Sequence, residues 1–291
     1  MKIFIFCTFI MTTQHSIRSV LESFLNEKIS IFPGSSGKLI TVSGKKYFLK
    51  SGKHSETYMC EMHGLMELRK AGTIQIADPI TYGDTFILTG FIEAGGIPAG
   101  FFENFGRNLA RMHRCTGENY GFFEDNFIGA TVQINQADKD EMQDWVAFYF
   151  NKRLLFQYQL AEKNHFVSKD FRRNFIKLER NITTILSDSE EEPCLLHGDL
   201  WSGNFICNRQ GEAVLIDPAV YYGHREADLA MTKLFGGFSD AFYKAYQQEY
   251  PLKPGWEYRE DIYKLYHVMN HLNIFGRGYL AETERILEKY T

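Results

Sequence analysis

The stretch LLHGDLWSGNFICNRQGEAVLID, Leu195 to Asp217, constrains this chain more than any other. His197, Gly198 and Asp199 are followed by Asn204, and the apolar run Ala213 to Ile216 then delivers Asp217. The amide of Asn204 and the carboxylate of Asp217 make an all-oxygen donor set, with Asp199 left to the acceptor. Such a set suits a hard divalent cation that keeps several positions for water or phosphate oxygens. The order H-x-D-x-x-x-x-N with a later strand-borne Asp is that of a phosphoryl-transfer loop. Taken singly, His197 reads as packing, Asp199 as a turn former, Asn204 as a loop cap and Asp217 as a strand terminator. The chemistry lies in their order and spacing, which demand a loop and two neighbouring strands facing a nucleotide-binding wall.

That wall is sought earlier in the chain. Lys38 to Val42 and Tyr47 to Leu49 read as two strands of a hairpin turned by Ser43-Gly44. Gly34 and Gly37 lie just before it, in PGSSG, where backbone lacking Cβ atoms can approach phosphate oxygens. Lys50 ends the second strand and can reach a triphosphate as a point charge. Ser55 to Lys70 reads as a helix with Tyr58, Met62, Leu65 and Met66 on its apolar side, and Glu61 on it can face back toward Lys50. A second hairpin turns at Gly83-Asp84. Its last strand runs through Phe91 and Ile92 into Glu93-Ala94-Gly95-Gly96, read as a hinge whose free backbone groups can meet an adenine edge.

Beyond residue 101 the periodicity is helical. Phe102, Phe105, Leu109 and Met112 form one stripe; Met142, Trp145, Val146, Tyr149 and Phe150 a second; Phe171, Phe175, Leu178, Ile182 and Ile185 a third. YGFFEDNFIGATVQINQ reads as a loop bordering the cleft. The expected organisation is α+β: a nucleotide-binding lobe over 15–92, with a small antiparallel sheet and one long helix, and a larger, mainly helical lobe over 93–291 carrying the catalytic loop and acceptor site. No linker separates them. Residues 1–14 are read as an N-terminal extension without function, because the apolar run in MKIFIFCTFIM is too short to span a bilayer and no cleavage signature follows.

Composition narrows the function further. A net charge of -4 and no polybasic run argue against a nucleic-acid binder. Five widely spaced cysteines without a C-x-x-C pair fit a reducing cytoplasm and give no zinc site. His113, His165, His267 and His271 have no acidic or thiol neighbours at ligand spacing. The residues together predict a small-molecule kinase using ATP and Mg2+. Asp199 orients the acceptor hydroxyl with an ordinary, ionised carboxylate, Asn204 and Asp217 hold the metal, Lys50 holds phosphate, and Glu61 pairs with Lys50.

HGDLWSGN, together with YFLK, CEMHGLMEL, IDPAVYYGHREADLAMTKLFGGF and NHLNIFGRGYL, resembles the fructosamine kinase (ketosamine-3-kinase) family, relatives of aminoglycoside phosphotransferases and choline kinases with a protein-kinase-like two-lobe fold. The resemblance runs from about residue 15 to the end. It implies ATP-dependent phosphorylation of a ketosamine, free or on a glycated protein, at carbon 3 of the sugar, in deglycation repair. It also implies Trp201 stacking on the acceptor, His224 and Arg225 at the acceptor side, with bracing of the loop as their other reading, and His197 and Asp228 supporting the loop. PGSSG departs from the G-x-G-x-x-G pattern, and Thr89-Gly90 stands where an acidic hinge residue is common, so the nucleotide preference stays open. A phosphotransferase for another small aminated acceptor, an aminoglycoside or a choline-like molecule, stands as the alternative.

Overall fold

The computed structural model describes residues 17–34, 37–52 and 55–291. The expected extension at 1–14 and the loop tip Ser35-Ser36 lie outside the described residues. Helix α1 (Ile17–Leu25) precedes strands β1 (Ser30–Pro33), β2 (Lys38–Val42) and β3 (Lys45–Ser51), helix α2 (Ser55–Arg69), and strands β4 (Gln75–Ile76), β5 (Pro79–Gly83) and β6 (Phe86–Gly90). Five of these strands make one sheet in the order β1-β2-β3-β6-β5. Every pairing in it is antiparallel. The β2–β3 turn takes Ser43 and Gly44 through φ 48° and 81°, the twin left-handed pair that matches the twist of a two-residue hairpin. Strand β1 is absent from the sequence-based expectation. Its burial gives no period-two pattern, so nothing in SIFP announced a strand.

Two hydrophobic cores divide the chain differently from its lobes. Leu21, Ile29, Ile40, Val42, Leu49, Phe86 and Leu88 form a small core between α1 and the sheet. Tyr58, Met62, Leu65 and Leu68 of α2 instead join the core of the helical part. Met66, expected on that apolar side, is 48% exposed, and Leu68 is buried in the core instead. Gly64 makes the docking of α2 possible, since a Cβ there would press on Val220 and Pro218 at 3.2 and 3.3 Å. Strand β4 likewise leaves the N-terminal sheet and pairs in parallel with β11 (Ala213–Leu215).

The helical part runs through α3 (Phe101–Met112), the hairpin β7 (Asn126–Ile128) and β8 (Thr131–Gln133), α4 (Trp145–Tyr149), a π-helical turn over Phe150–Leu155, α5 (Phe156–Lys163) and α6 (Lys169–Ile185). The expected loop at 120–136 thus contains a short hairpin. Its Asn126 and Gln133 are buried and bonded to the carbonyls of Val220 and Ala219 at 2.7 and 2.9 Å. Strands β9 (Cys194–Leu196), β10 (Phe205–Cys207), β11 and β12 (Tyr221–Gly223) frame the predicted loop, and α7 (Glu226–Thr232), α8 (Asp240–Glu249), α9 (Trp256–Phe275) and α10 (Leu280–Lys289) complete the chain. On α6, Phe171, Phe175, Leu178, Ile182 and Ile185 are all buried. Each such side chain contributes roughly 1.5–3 kcal/mol, so the stripe accounts for the helix without help from propensity. No helix among the described residues is long and apolar enough to cross a membrane.

Candidate active site

The catalytic loop leaves β9 and re-enters the sheet at β10. Gly198 has φ 82°, and a Cβ there would lie 1.9 Å from the Ala219 carbonyl oxygen, so only glycine fits the turn that carries Asp199. His197 is fully buried and fixes the turn from inside. The Asp199 N–H donates to its Nδ1 at 3.3 Å, so the ring proton sits on Nε2 and donates to the Ile216 carbonyl at 3.0 Å. Burial lowers the His197 pKa and keeps the ring neutral. Asp228, also buried, accepts the backbone N–H groups of His197 and Gly198 and meets His113 Nε2 at 3.2 Å. Burial alone would raise the Asp228 carboxyl; the His113 hydrogen bond, the His113 and His197 rings and the Gly198 N–H together hold it below its ordinary value.

Asn204 Nδ2 donates to the Asp199 carbonyl at 2.7 Å and to Asp199 Oδ2 at 3.1 Å. With its NH2 group committed to Asp199, Asn204 presents Oδ1 as its remaining donor atom for a cation. Asp217 follows β11 with φ 53°, a left-handed conformation that Asp tolerates better than most residues. Across the cleft, Lys50 Nζ lies 2.8 Å from Glu61 Oε2 and 3.0 Å from Asp217 Oδ1. Desolvation pulls the Lys50 pKa down, but the two carboxylates outweigh it and hold it above its ordinary value. For Glu61 burial dominates and raises its pKa against the pull of Lys50.

Asp199 departs from the expectation of an ordinary carboxylate. Burial raises its pKa to about 7, with the Asn204 hydrogen bond opposing and the charges of Asp217 and Asp228 adding to the rise. A carboxylate so placed is a stronger base than one in water, which suits an acceptor hydroxyl. Asp217 and Asn204 supply one carboxylate and one amide oxygen, and no group of three His, Cys, Asp or Glu among the described residues could hold a metal. That donor set fits Mg2+, whose other positions fall to phosphate and water oxygens.

Two of the other predicted positions come out differently. His224 and Arg225 were expected at the acceptor side, and their burial corrects this. His224 is 0% exposed, bonds the Ser189 carbonyl through Nε2, and packs against both Trp145 and Tyr263. Arg225 is 1% exposed, forks onto Glu191 with two 2.7 Å bonds, and lies over the Tyr250 ring. Both brace the segment behind the loop and offer no face to a substrate. Gly34 donates its N–H to Gly37 O at 2.8 Å, and a Cβ on Gly37 would run into the Phe48 ring, so these glycines close the β1–β2 turn. The Phe91 N–H is taken by Lys46 O at 3.3 Å and is not free for a base. Trp201 is half-buried, with its ring over Gly203 and its edge toward Phe235 at 6.0 Å between centroids. The sequence reading passed over Phe235; its only signal was an aromatic residue set against Gly236-Gly237.

A small antiparallel sheet with a Lys–Glu pair, a hinge and a helical part bearing the Asp–Asn–Asp loop define a kinase of the protein-kinase-like fold. The fructosamine kinase family model matches residues 13–291, and the chain belongs to that family. It is 38% identical over 253 residues to the chloroplastic protein-ribulosamine 3-kinase of Arabidopsis thaliana, covering 84% of this chain and 76% of the plant protein. A Thermobifida fusca protein solved as a candidate fructosamine-3-kinase superposes with TM-score 0.84 at 25% identity, covering 94% of this chain and 98% of that one. The APH(2'')-IIa enzyme of a streptomycin–ATP complex superposes with TM-score 0.63 at 15% identity over 96% and 97% of the two chains, a likeness of fold alone.

Proposed function

We propose that this chain transfers the γ-phosphoryl group of ATP to O3 of a ketosamine, free or carried on a protein lysine, in the cytoplasm. One observation carries the reading: Lys50 from the sheet and Asp217 from the loop's far strand meet at 3.0 Å, joining the two walls at the point where a triphosphate would sit. Bound Mg2+ would neutralise charge on the β- and γ-phosphates. Asn204 Oδ1 and the Asp217 carboxylate would hold it, and Lys50, freed from Asp217 and kept in place by Glu61, would bind phosphate oxygens. Asp199 accepts the hydrogen bond of the attacking hydroxyl and takes its proton as that oxygen bonds to the γ-phosphorus and the bond to the β,γ-bridging oxygen breaks, releasing ADP. Asn204 keeps the Asp199 carboxylate turned toward the cleft. Trp201 presents a flat apolar surface two residues along, suited to one face of a sugar. The protein-ribulosamine kinase relative and the family match support the ketosamine as acceptor, and the free thiols of Cys60, Cys115, Cys194 and Cys207 suit a reducing compartment.

The test is ATP consumption with a panel of a fructosamine, a ribulosamine, kanamycin and choline. Turnover of a ketosamine with phosphate found on O3 is expected. Turnover confined to kanamycin or choline overturns the assignment.

A further inference from the structure

A run of aromatic rings leads away from the catalytic loop, and beyond its first member it has no part in the reaction as described. It starts at Trp201, continues edge-on to Phe235, and passes to His271 with centroids 4.9 Å apart and then to Phe275 at 5.4 Å. Tyr279 backs His271 at 5.1 Å. Phe235 is 47% exposed and Phe275 66%. Single exposed apolar side chains need no explanation, but rings in sequence, continuous with an active site, mark a surface that meets a ligand.

The backbone supports that reading independently. Phe235, Gly236 and Gly237 are left-handed in succession, with φ 56°, 100° and 68°. A bulky residue in this region carries a backbone cost. Here that cost sets a phenyl ring half in solvent beside Trp201 rather than into the core. His271 is also specialised. Its Nδ1 lies 2.8 Å from the His267 carbonyl, which can only accept, so Nδ1 carries the proton and Nε2 is the acceptor in the neutral ring. Burial lowers the His271 pKa and favours that neutral form. The run therefore offers ring faces and one nitrogen lone pair, and none of its members is a carboxylate.

We propose that Phe235, His271 and Phe275 form a subsite for the amine side of the acceptor, which selects ketosamines whose nitrogen bears an extended apolar or aromatic substituent. The inference rests on the ketosamine kinase reading and adds a specificity to it. With the sugar at Asp199 and Trp201, the nitrogen and its substituent extend along the rings. There the protonated nitrogen is attracted by ring faces, and the substituent buries apolar area.

The test compares kcat/KM for two ketosamines of one sugar, made with methylamine and with n-hexylamine. In the unmodified protein the hexyl compound should be favoured by about tenfold or more. Phe235→Ala and Phe275→Ala should each lower that ratio to about two, whereas Phe275→Leu, which restores apolar area, should keep most of it. Phe275 is largely exposed, so its truncation leaves the core intact, and a thermal melt checks this. Ratios near one in the unmodified protein, or a ratio untouched by both alanine variants, overturn the subsite while leaving the ketosamine kinase reading standing. Absence of turnover with both compounds overturns that reading and the subsite with it.

Discussion

Asp228 holds the backbone of Gly198, thirty residues away in sequence, by accepting its N–H at Oδ1 at 2.8 Å. Its other oxygen takes the His197 N–H at 2.7 Å. The carboxylate thus fixes two successive peptide planes immediately before Asp199 without reaching the cleft. In Asp228→Asn one of these oxygens becomes an NH2 group facing an N–H donor. Losing a buried acceptor costs about 1–3 kcal/mol of stability. Displacement of the base by even about 1 Å costs roughly 100-fold in rate. The expected outcome is a lowered melting temperature and a kcat down by about two orders of magnitude, with KM for ATP changed far less. A variant with unaltered kcat would show that the clamp does not position Asp199.

Asp199 itself is tested by Asp199→Asn, which keeps shape and removes the base. A positioned general base contributes about 10²–10⁴-fold, so kcat should fall by that much. Nucleotide affinity, measured by titration calorimetry with a non-hydrolysable ATP analogue and Mg2+, should stay within a few-fold. Weakened nucleotide binding would place Asp199 among the phosphate or metal contacts instead.

Asp217 should behave in the opposite way. Its carboxylate lies 3.0 Å from Lys50, and in the proposed complex it exchanges that partner for Mg2+. Asp217→Asn should therefore weaken nucleotide binding by at least about tenfold, or about 1.4 kcal/mol, when Mg2+ is present. After chelation with EDTA the variant and the parent should bind the nucleotide alike. Equal affinities in Mg2+ would remove Asp217 from the metal site.

How much of this was legible in the sequence follows from the range of the interactions involved. Asp199, Asn204 and Asp217 sit within one hairpin-sized segment, so their spacing alone placed them together. Lys50 and Glu61 were legible because a strand end and a helix face have fixed directions. His224 and Arg225 were misplaced because their partners are remote in sequence: Tyr263 for the ring, Glu191 and Tyr250 for the guanidinium. Charge in a motif suggested a ligand, and only the fold reveals that the charge is neutralised internally. The docking of α2 on the helical part was hidden for the same reason, since Tyr222 reaches Glu67 at 2.9 Å across 155 residues. The aromatic run from Trp201 to Phe275 is split among three chain segments, and no period links them.

His267 provides the pH-dependent prediction. It is buried on α9, its pKa is lowered to about 3 mainly by burial, and its Nδ1 has no hydrogen-bond partner among the described residues. In the unfolded chain an unperturbed histidine titrates near 6.5. The neutral ring is therefore at no disadvantage above that value. As the pH falls from about 6.5 toward 3, the unfolded state takes up a proton that the folded state refuses, and stability drops. The slope for one such group is at most about 1.4 kcal/mol per pH unit. His197, whose pKa is also lowered by burial, acts with the same sign. His267→Met fills similar volume without a titrating group, so its unfolding free energy, measured by urea titration at steps between pH 7 and 4, should fall less steeply than that of the parent. If the variant is less stable at pH 7, the two curves should converge on the acidic side; if it is equally stable, the variant should come out the more stable there. Parallel curves would mean that His267 is protonated in the folded protein, against the burial that surrounds it.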